Sequence, residues 1–232
     1  MSNQTKTTAL DRQETSLTDK MLESINEAVG QPVDGRRIVE ILVQRRLLSI
    51  NMFTWMLDNL ICAMDDDEAR EIAIGILREE YAGPNHRYEF LMEIVDLGLT
   101  RRDVLRRKPS KVTEDVMRGI ARLTVELIEA SDLERLTFLR FFAEILPGHE
   151  FAHLLDIMVE HEMIVANDSR FLRPHVNYDV VGNKEALSHA EQYRAQIEQL
   201  IEKGGDRKAV TKILRRSCDL RLRFYSQFAG TN

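Results

Sequence analysis

Little in this chain suits anything but helices. Of 232 residues only 11 are glycine and 5 are proline, and runs that alternate apolar with polar side chains are nearly absent. A β-sheet therefore has little to be built from. Cysteine is equally scarce: Cys62 and Cys218 lie within helical patterns and lack metal-type spacing, which suits buried or half-buried thiols in a reducing compartment. No stretch approaches the roughly 20 apolar residues that span a bilayer. Positive charge is outweighed, 32 Lys and Arg against 38 Asp and Glu, for a net charge of −6. That balance argues against nucleic acid as a partner. The one basic cluster, Arg101, Arg102, Arg106, Arg107, Lys108 and Lys111, is interrupted by Asp103 and Pro109 and reads as a solvated helix and turn. The opening residues, Met1 to about Asp19, are polar and Thr-rich without a signal-peptide core. We expect a disordered segment over 1–19, one helical domain over 20–232, a cytoplasmic location and no membrane association.

What the chain does have is helical periodicity. A hydrophobic content of 44% and a charged content of 30% allow a sizeable core with charged outer faces. Met21, Ile25 and Val29 open a first helix that stops at Gly30. From about Arg36 to Met64, Ile38, Ile41, Leu42, Leu48, Met52, Met56 and Leu60 recur at helical spacing. Asp65-Asp66-Asp67-Glu68 caps the next helix, which runs through Ile72 and Ile76 to Glu79 and Glu80 before Gly83-Pro84 stops it. Further helices are predicted from His86 to Leu97-Gly98, over 111–130, from Ser131 to a stop at Pro147, over 149–164, and around 170–181, 184–203 and 206–228. The expectation is one all-α bundle of seven to nine helices.

Within this apolar pattern sits a set of acids and imidazoles in helical register. Ile72, Ile76 and Glu79 continue one inward stripe, and Glu80 follows Ala73 and Leu77 in the same way, so spacing does not choose between them. His86 shares a face with Phe90. Glu144 follows Leu136, Thr137 and Phe141 on a strongly apolar helix, a poor place for a surface carboxylate. His175 and Asp179 lie one turn apart and can chelate one ion or straddle two, although an ordinary His-Asp helix pair has the same spacing. His189 lies in a helix with Leu187, Tyr193 and Ile197. Burying such groups is costly unless something pairs with them, and a metal held in the bundle core is one such partner. The plain alternative is a helical interaction protein whose acids and histidines are simply solvated. His149-Glu150-Phe151-Ala152-His153 also spells the zinc-hydrolase pattern HExxH. It lacks an evident third ligand, His161 is wrongly spaced for the extended form, and no strand precedes it.

Asp65-Asp66-Asp67-Glu68-Ala69-Arg70, Arg78-Glu79-Glu80, Pro84-Asn85-His86 and Leu97-Gly98-Leu99-Thr100 together resemble the haem-oxygenase-like diiron oxidases. These belong to the wider group of TenA thiaminases and PqqC oxidases, and the branch nearest in pattern includes the chlamydial protein associating with death domains (CADD). The resemblance covers most of the chain from about residue 36. It implies a haem-oxygenase-like helical bundle that binds two Fe(II) ions and uses O2 as co-substrate to oxidise a small molecule such as an amino acid, amine or fatty acid. It further implies a metal set of Glu79, His86, Glu144, His175, Asp179 and His189, with no separate organic cofactor, and association, where it occurs, as a homodimer. The family's last histidine would fall at Gly182; here the next is His189, so Gly182 to Ser188 reads as a seven-residue insertion. Either the chain breaks at Gly182-Asn183 and loops His189 back, or the second iron site is altered and Glu185 substitutes. A metal-free member of the fold, a cofactorless oxidase or thiaminase-like hydrolase, is the alternative that this departure motivates.

Overall fold

Residues 9–79, 81, 86–165, 168–176 and 188–230 are described by a computed structural model. Eight rods of eleven residues or more make up the described bundle, with two short helices between them. The rods are α1 (Ala9–Val29), α2 (Gly35–Ala63), α3 (Asp67–Glu79), α4 (His86–Asp96), α6 (Lys111–Ile128), the continuous run of α7 (Asp132–Phe138), a π-helical segment (Leu139–Ile145) and α8 (Leu146–Glu160), then α10 (His189–Glu202) and α11 (Arg207–Ser226). The short pieces are α5 (Arg101–Arg106) and α9 (Leu172–Val176). No strand occurs among the described residues, and the all-α class expected from the periodicity is the one observed.

Local chemistry sets the helix ends. Asp34 accepts from Arg36 N at 2.9 Å and starts α2. Asp66 Oδ1 accepts from Ala69 N at 2.9 Å and starts α3. Ser131 and Glu134 form a reciprocal capping box ahead of α7. Gly98, at φ +102°, follows α4 in a backbone conformation that L side chains rarely adopt. The long α2 lies against α6, α4 and α3, while α11 lies against α1, α7 and α6. Their fully buried side chains include Ile38, Ile41, Leu42, Ile120, Leu214 and Phe224.

Two expectations are corrected here. The segment expected to be disordered up to residue 19 is helical from Ala9 onward. Its polarity is that of an amphipathic helix whose inner face carries Glu14 and Thr18 as well as Met21 and Ile25. Glu14 forms an ion pair with Arg140 on the π-helical segment. Second, the helix predicted to stop at Pro147 runs straight through it. In an α-helix a proline ring collides with the carbonyl four residues back and removes a hydrogen bond. Here the preceding turns are π-helical, with Leu146 N donating to Phe141 O, and the wider turn makes room for the ring. The missing donor of Pro147 would have met the carbonyl of Phe142. Arg221 Nη2 reaches that carbonyl instead, at 3.1 Å.

The same arginine belongs to a buried charge network. Arg45 Nε donates to both oxygens of Glu150, at 3.0 and 2.9 Å. Arg221 Nη1 lies 3.5 Å from Glu150 Oε2, and the Tyr225 hydroxyl donates to Glu150 Oε1. Burial pushes the Glu150 carboxyl up, but Arg45 and Arg221, with the Tyr225 hydrogen bond, hold it below the usual range. Its contribution to stability is therefore present above the unfolded carboxyl pKa and is lost as pH falls through the depressed folded value. Replacing Glu150 with Gln strands two buried guanidiniums, and a loss of about 3–5 kcal/mol is expected in urea unfolding at neutral pH. A cost below about 1 kcal/mol would show the network to be dispensable for folding.

Candidate functional site

Glu144 takes its position from the π-helical turn. The widened segment carries Phe141, Phe142, Ala143, Glu144 and Ile145, all buried, and leaves the Glu144 side chain only 3% exposed. A carboxylate so placed requires a partner, and His189 supplies one, its Nδ1 lying 3.3 Å from Glu144 Oε2. The other ring nitrogen, Nε2, lies 3.0 Å from Glu79 Oε2. His189 thus spans a buried and an exposed carboxylate from two different helices. Burial lowers the imidazole pKa, but Glu144 and Glu79 together more than offset this and the net shift is upward.

Three contacts hold His189 there. Ser188 caps α10 through Glu191 N at 3.2 Å, so His189 is the first residue of the helix. Arg140 Nε donates to Ala190 O at 2.9 Å, fastening that turn to the π-helical segment. Gln196 Nε2 donates to Asp66 Oδ1 at 2.8 Å and fixes α10 against the start of α3. Tyr193, one turn after His189, is fully buried. Burial, and secondarily Glu144, hold its phenol well above the ordinary range, so it stays neutral.

A second pair of imidazoles comes from α4 and α9. The rings of His86 and His175 lie 4.7 Å apart, edge to face, and His175 also packs against Phe171 and Phe151. The His175 Nδ1 is 2.7 Å from Phe171 O; donation to that carbonyl leaves Nε2 with its lone pair, the arrangement a metal-binding histidine uses. Phe171 is itself held by Glu93, a buried acid whose Oε2 accepts from Phe171 N at 3.1 Å and Arg170 N at 2.7 Å. Glu93 went unremarked in the sequence because its role is to position a backbone turn 77 residues away.

Glu79, His86, Glu144, His175 and His189 all line one cavity of about 460 Å³. Its walls are mostly apolar, with Met52, Phe53, Phe90 and Phe142 among them, and Arg45, Ser49, Arg87, Arg170 and Arg221 provide polar points. Asp179, Glu80, Gly182 and Glu185 lie outside the described residues. Among the described residues no three His, Cys, Asp or Glu side chains converge closely enough to enclose an ion. The oxygen and imidazole donor set nevertheless fits iron, manganese or zinc, and His189 lies between two acids where a cation is electrostatically favoured.

Other sequence candidates go elsewhere. Glu150, the acid of the HExxH pattern, is in the arginine network. His153 Nε2 is 2.7 Å from Asn26 Oδ1, and burial lowers the pKa of His149, with Asp19 offsetting part of the shift. His153 thus meets α1, and neither HExxH histidine is among the partners of Glu150. Cys62 is exposed, and Cys218 donates to Leu17 O at 3.4 Å with its thiol pushed by burial up to about 11.

Glu93→Ala removes the acceptor that holds residues 170 and 171. The fold is expected to survive with a loss of about 1–3 kcal/mol. Should His175 serve as a metal ligand, Fe(II) affinity is expected to drop about 10–100-fold, as for other groups that orient a ligand. Unchanged affinity in a titration with Fe(II) would show that Glu93 does not position His175.

No family model and no curated protein matches this chain by sequence. Solved structures do match by shape. A domain of unknown function with a heme oxygenase-like fold from Shewanella denitrificans OS217 aligns at 17% identity with a TM-score of 0.66, over 94% of this chain and 90% of that one. A TenA homolog from Pseudomonas syringae pv. tomato DC3000 aligns at 12% identity and a TM-score of 0.70, over 95% and 92%. The TenA homologue from P. horikoshii OT3 gives 15% identity and 0.54, over 94% and 95%. The chain has the helical fold shared by haem-oxygenase-like and TenA-type proteins.

Proposed function

We propose that the chain is a non-haem diiron oxidase that oxidises a small molecule with O2. The observation that carries this reading is the convergence of Glu79, His86, Glu144, His175 and His189 on one largely apolar cavity. With Asp179, these are the residues that would hold two ferrous ions. The chemistry the metal supplies when bound is reductive activation of O2, with N-oxygenation or oxidative C–C cleavage of an amino acid, amine or fatty acid as the reaction classes.

The rest is the work of this chain's side chains. Phe53, Phe90 and Phe142 make part of the cavity wall apolar, which strengthens the charge interactions beside it. The Phe171 carbonyl fixes the His175 tautomer and presents Nε2. His189 meets one acid at each ring nitrogen, and the nitrogen that would take a metal must be free of its proton to become a ligand. Neither Cys62 nor Cys218 lines the cavity, so a thiaminase-type thiol nucleophile is not supplied. The metal-free alternative draws support from the same imidazole, because His189, when protonated, offsets part of the carboxylate charge without an ion.

After anaerobic Fe(II) loading, about two irons per chain are expected, with His86→Ala and His175→Ala folded but depleted of iron. Full occupancy in both variants would remove the proposed site, and oxidation that survives strict chelation would favour the metal-free reading. The pH dependence has opposite signs for the two states. In the metal-free protein the raised His189 pKa contributes stability fully below the unfolded imidazole value, and this is lost as pH rises through the folded one. Iron affinity should instead increase over that rise, with proton release detectable by calorimetry in buffers of different ionisation enthalpy. His189→Gln should flatten both profiles.

A further inference from the structure

The buried arginine network does not balance. Glu150 supplies one negative charge between the guanidiniums of Arg45 and Arg221, and Tyr225 stays neutral because burial, then Glu150, hold its phenol well above the ordinary range. Arg221 is 2% exposed. Its Nη2 serves the Phe142 carbonyl and its Nη1 sits 3.5 Å from Glu150. Among the described residues neither Nε nor Nη1 has a hydrogen-bond partner. Burial, and then Arg45, lower its pKa to about 10, so it remains protonated near neutrality. An unmatched buried cation is costly, and this one borders a cavity.

Arg45, Ser49 and Arg221 all line the cavity that holds Glu144 and His189. Arg45 already donates to Ser49 Oγ, and the two guanidiniums lie over the rings of Phe151 and Phe142, at 5.1 and 4.6 Å from their centroids. Arg221 borders the cavity with its Nε and Nη1 lacking hydrogen-bond partners but closed over in this structure, and a planar guanidinium fork backed by an aromatic face matches the geometry of a carboxylate. We propose that Arg221, supported by Arg45 and Ser49, is an anion subsite that takes the carboxylate of a small amphipathic substrate, whose apolar body lies along the cavity toward Glu144 and His189. The inference rests on the reading of the cavity as a substrate chamber. It selects organic carboxylates over neutral amines and alcohols, and it makes Arg221 a specificity-determining residue.

The test uses metal-free, chelator-treated protein, so it does not depend on iron. Hexanoate and 1-hexanol are titrated by calorimetry against the wild type, Arg221→Gln and Arg221→Lys. Hexanoate is expected to bind about tenfold tighter than hexanol or better. Gln, which keeps a donor amide but removes the charge, should abolish that preference, and Lys should restore part of it. Equal binding of the two probes by the wild type, or a preference that persists in Arg221→Gln, would overturn the subsite. Should Arg221→Gln not fold, the Arg221 Nε–H resonance of the wild type decides: it should shift with hexanoate and not with hexanol, and no shift would overturn the proposal. Carboxylate preference in a protein that fails to bind iron would retire the diiron reading and retain the subsite; iron binding without that preference would do the reverse.

Discussion

A proline placed inside a continuous buried rod is the constraint on which the rest of this molecule turns. Pro147 forbids ordinary α-helical packing at that point, and the chain responds by widening the preceding turns into a π-helix. That widening frees the Phe142 carbonyl, which draws in Arg221. Arg221 in turn needs Glu150, and Glu150 gathers Arg45 and Tyr225. The same turn buries Glu144 against the cavity. One local backbone accommodation thereby sets both the charge network and the carboxylate at the centre of the site.

The histidine opposite is set by contacts from every side. Its helix begins at Ser188, is fastened by Arg140 to the π-helical turn, and is tied by Gln196 to the start of α3. Arg140 also carries the ion pair to Glu14 on α1, so the first helix reaches the site through one intermediary. Imidazoles and carboxylates arranged this way hold one another in place through hydrogen bonds and charge. The cavity beside them is apolar enough to make each of those interactions count.

The cavity carries two kinds of polar group among largely apolar walls. One is acidic and imidazole-rich, suited to a cation. The other has an excess of guanidinium, suited to an anion. A molecule oriented by its charge at the second would present its apolar portion to the first, which is how a few well-placed polar groups confer specificity on an otherwise hydrophobic pocket. The fold, shared with TenA-type and haem-oxygenase-like proteins, accommodates such a chamber without dictating its chemistry.

Much of this was legible in the residue order. Period-3.6 patterning gave α2, α3, α4 and α6 close to their observed bounds, because amphipathic stripes and caps such as Asp34, Asp66 and Ser131 act within a few residues of themselves. The inward stripe through Ile72, Ile76 and Glu79, and the awkward position of Glu144 on an apolar helix, likewise pointed to the cavity. The sequence could not show that a helix would pass through Pro147, since local rules end it there and the group that meets the freed carbonyl, Arg221, lies 79 residues away. Nor could it separate Glu144 from Glu150, two acids on one buried rod whose roles depend on which partner each meets. Periodicity and capping are properties of neighbours along the chain, and these the sequence determined. Pairing of buried charges is a property of neighbours in space, and that was decided by the tertiary structure alone.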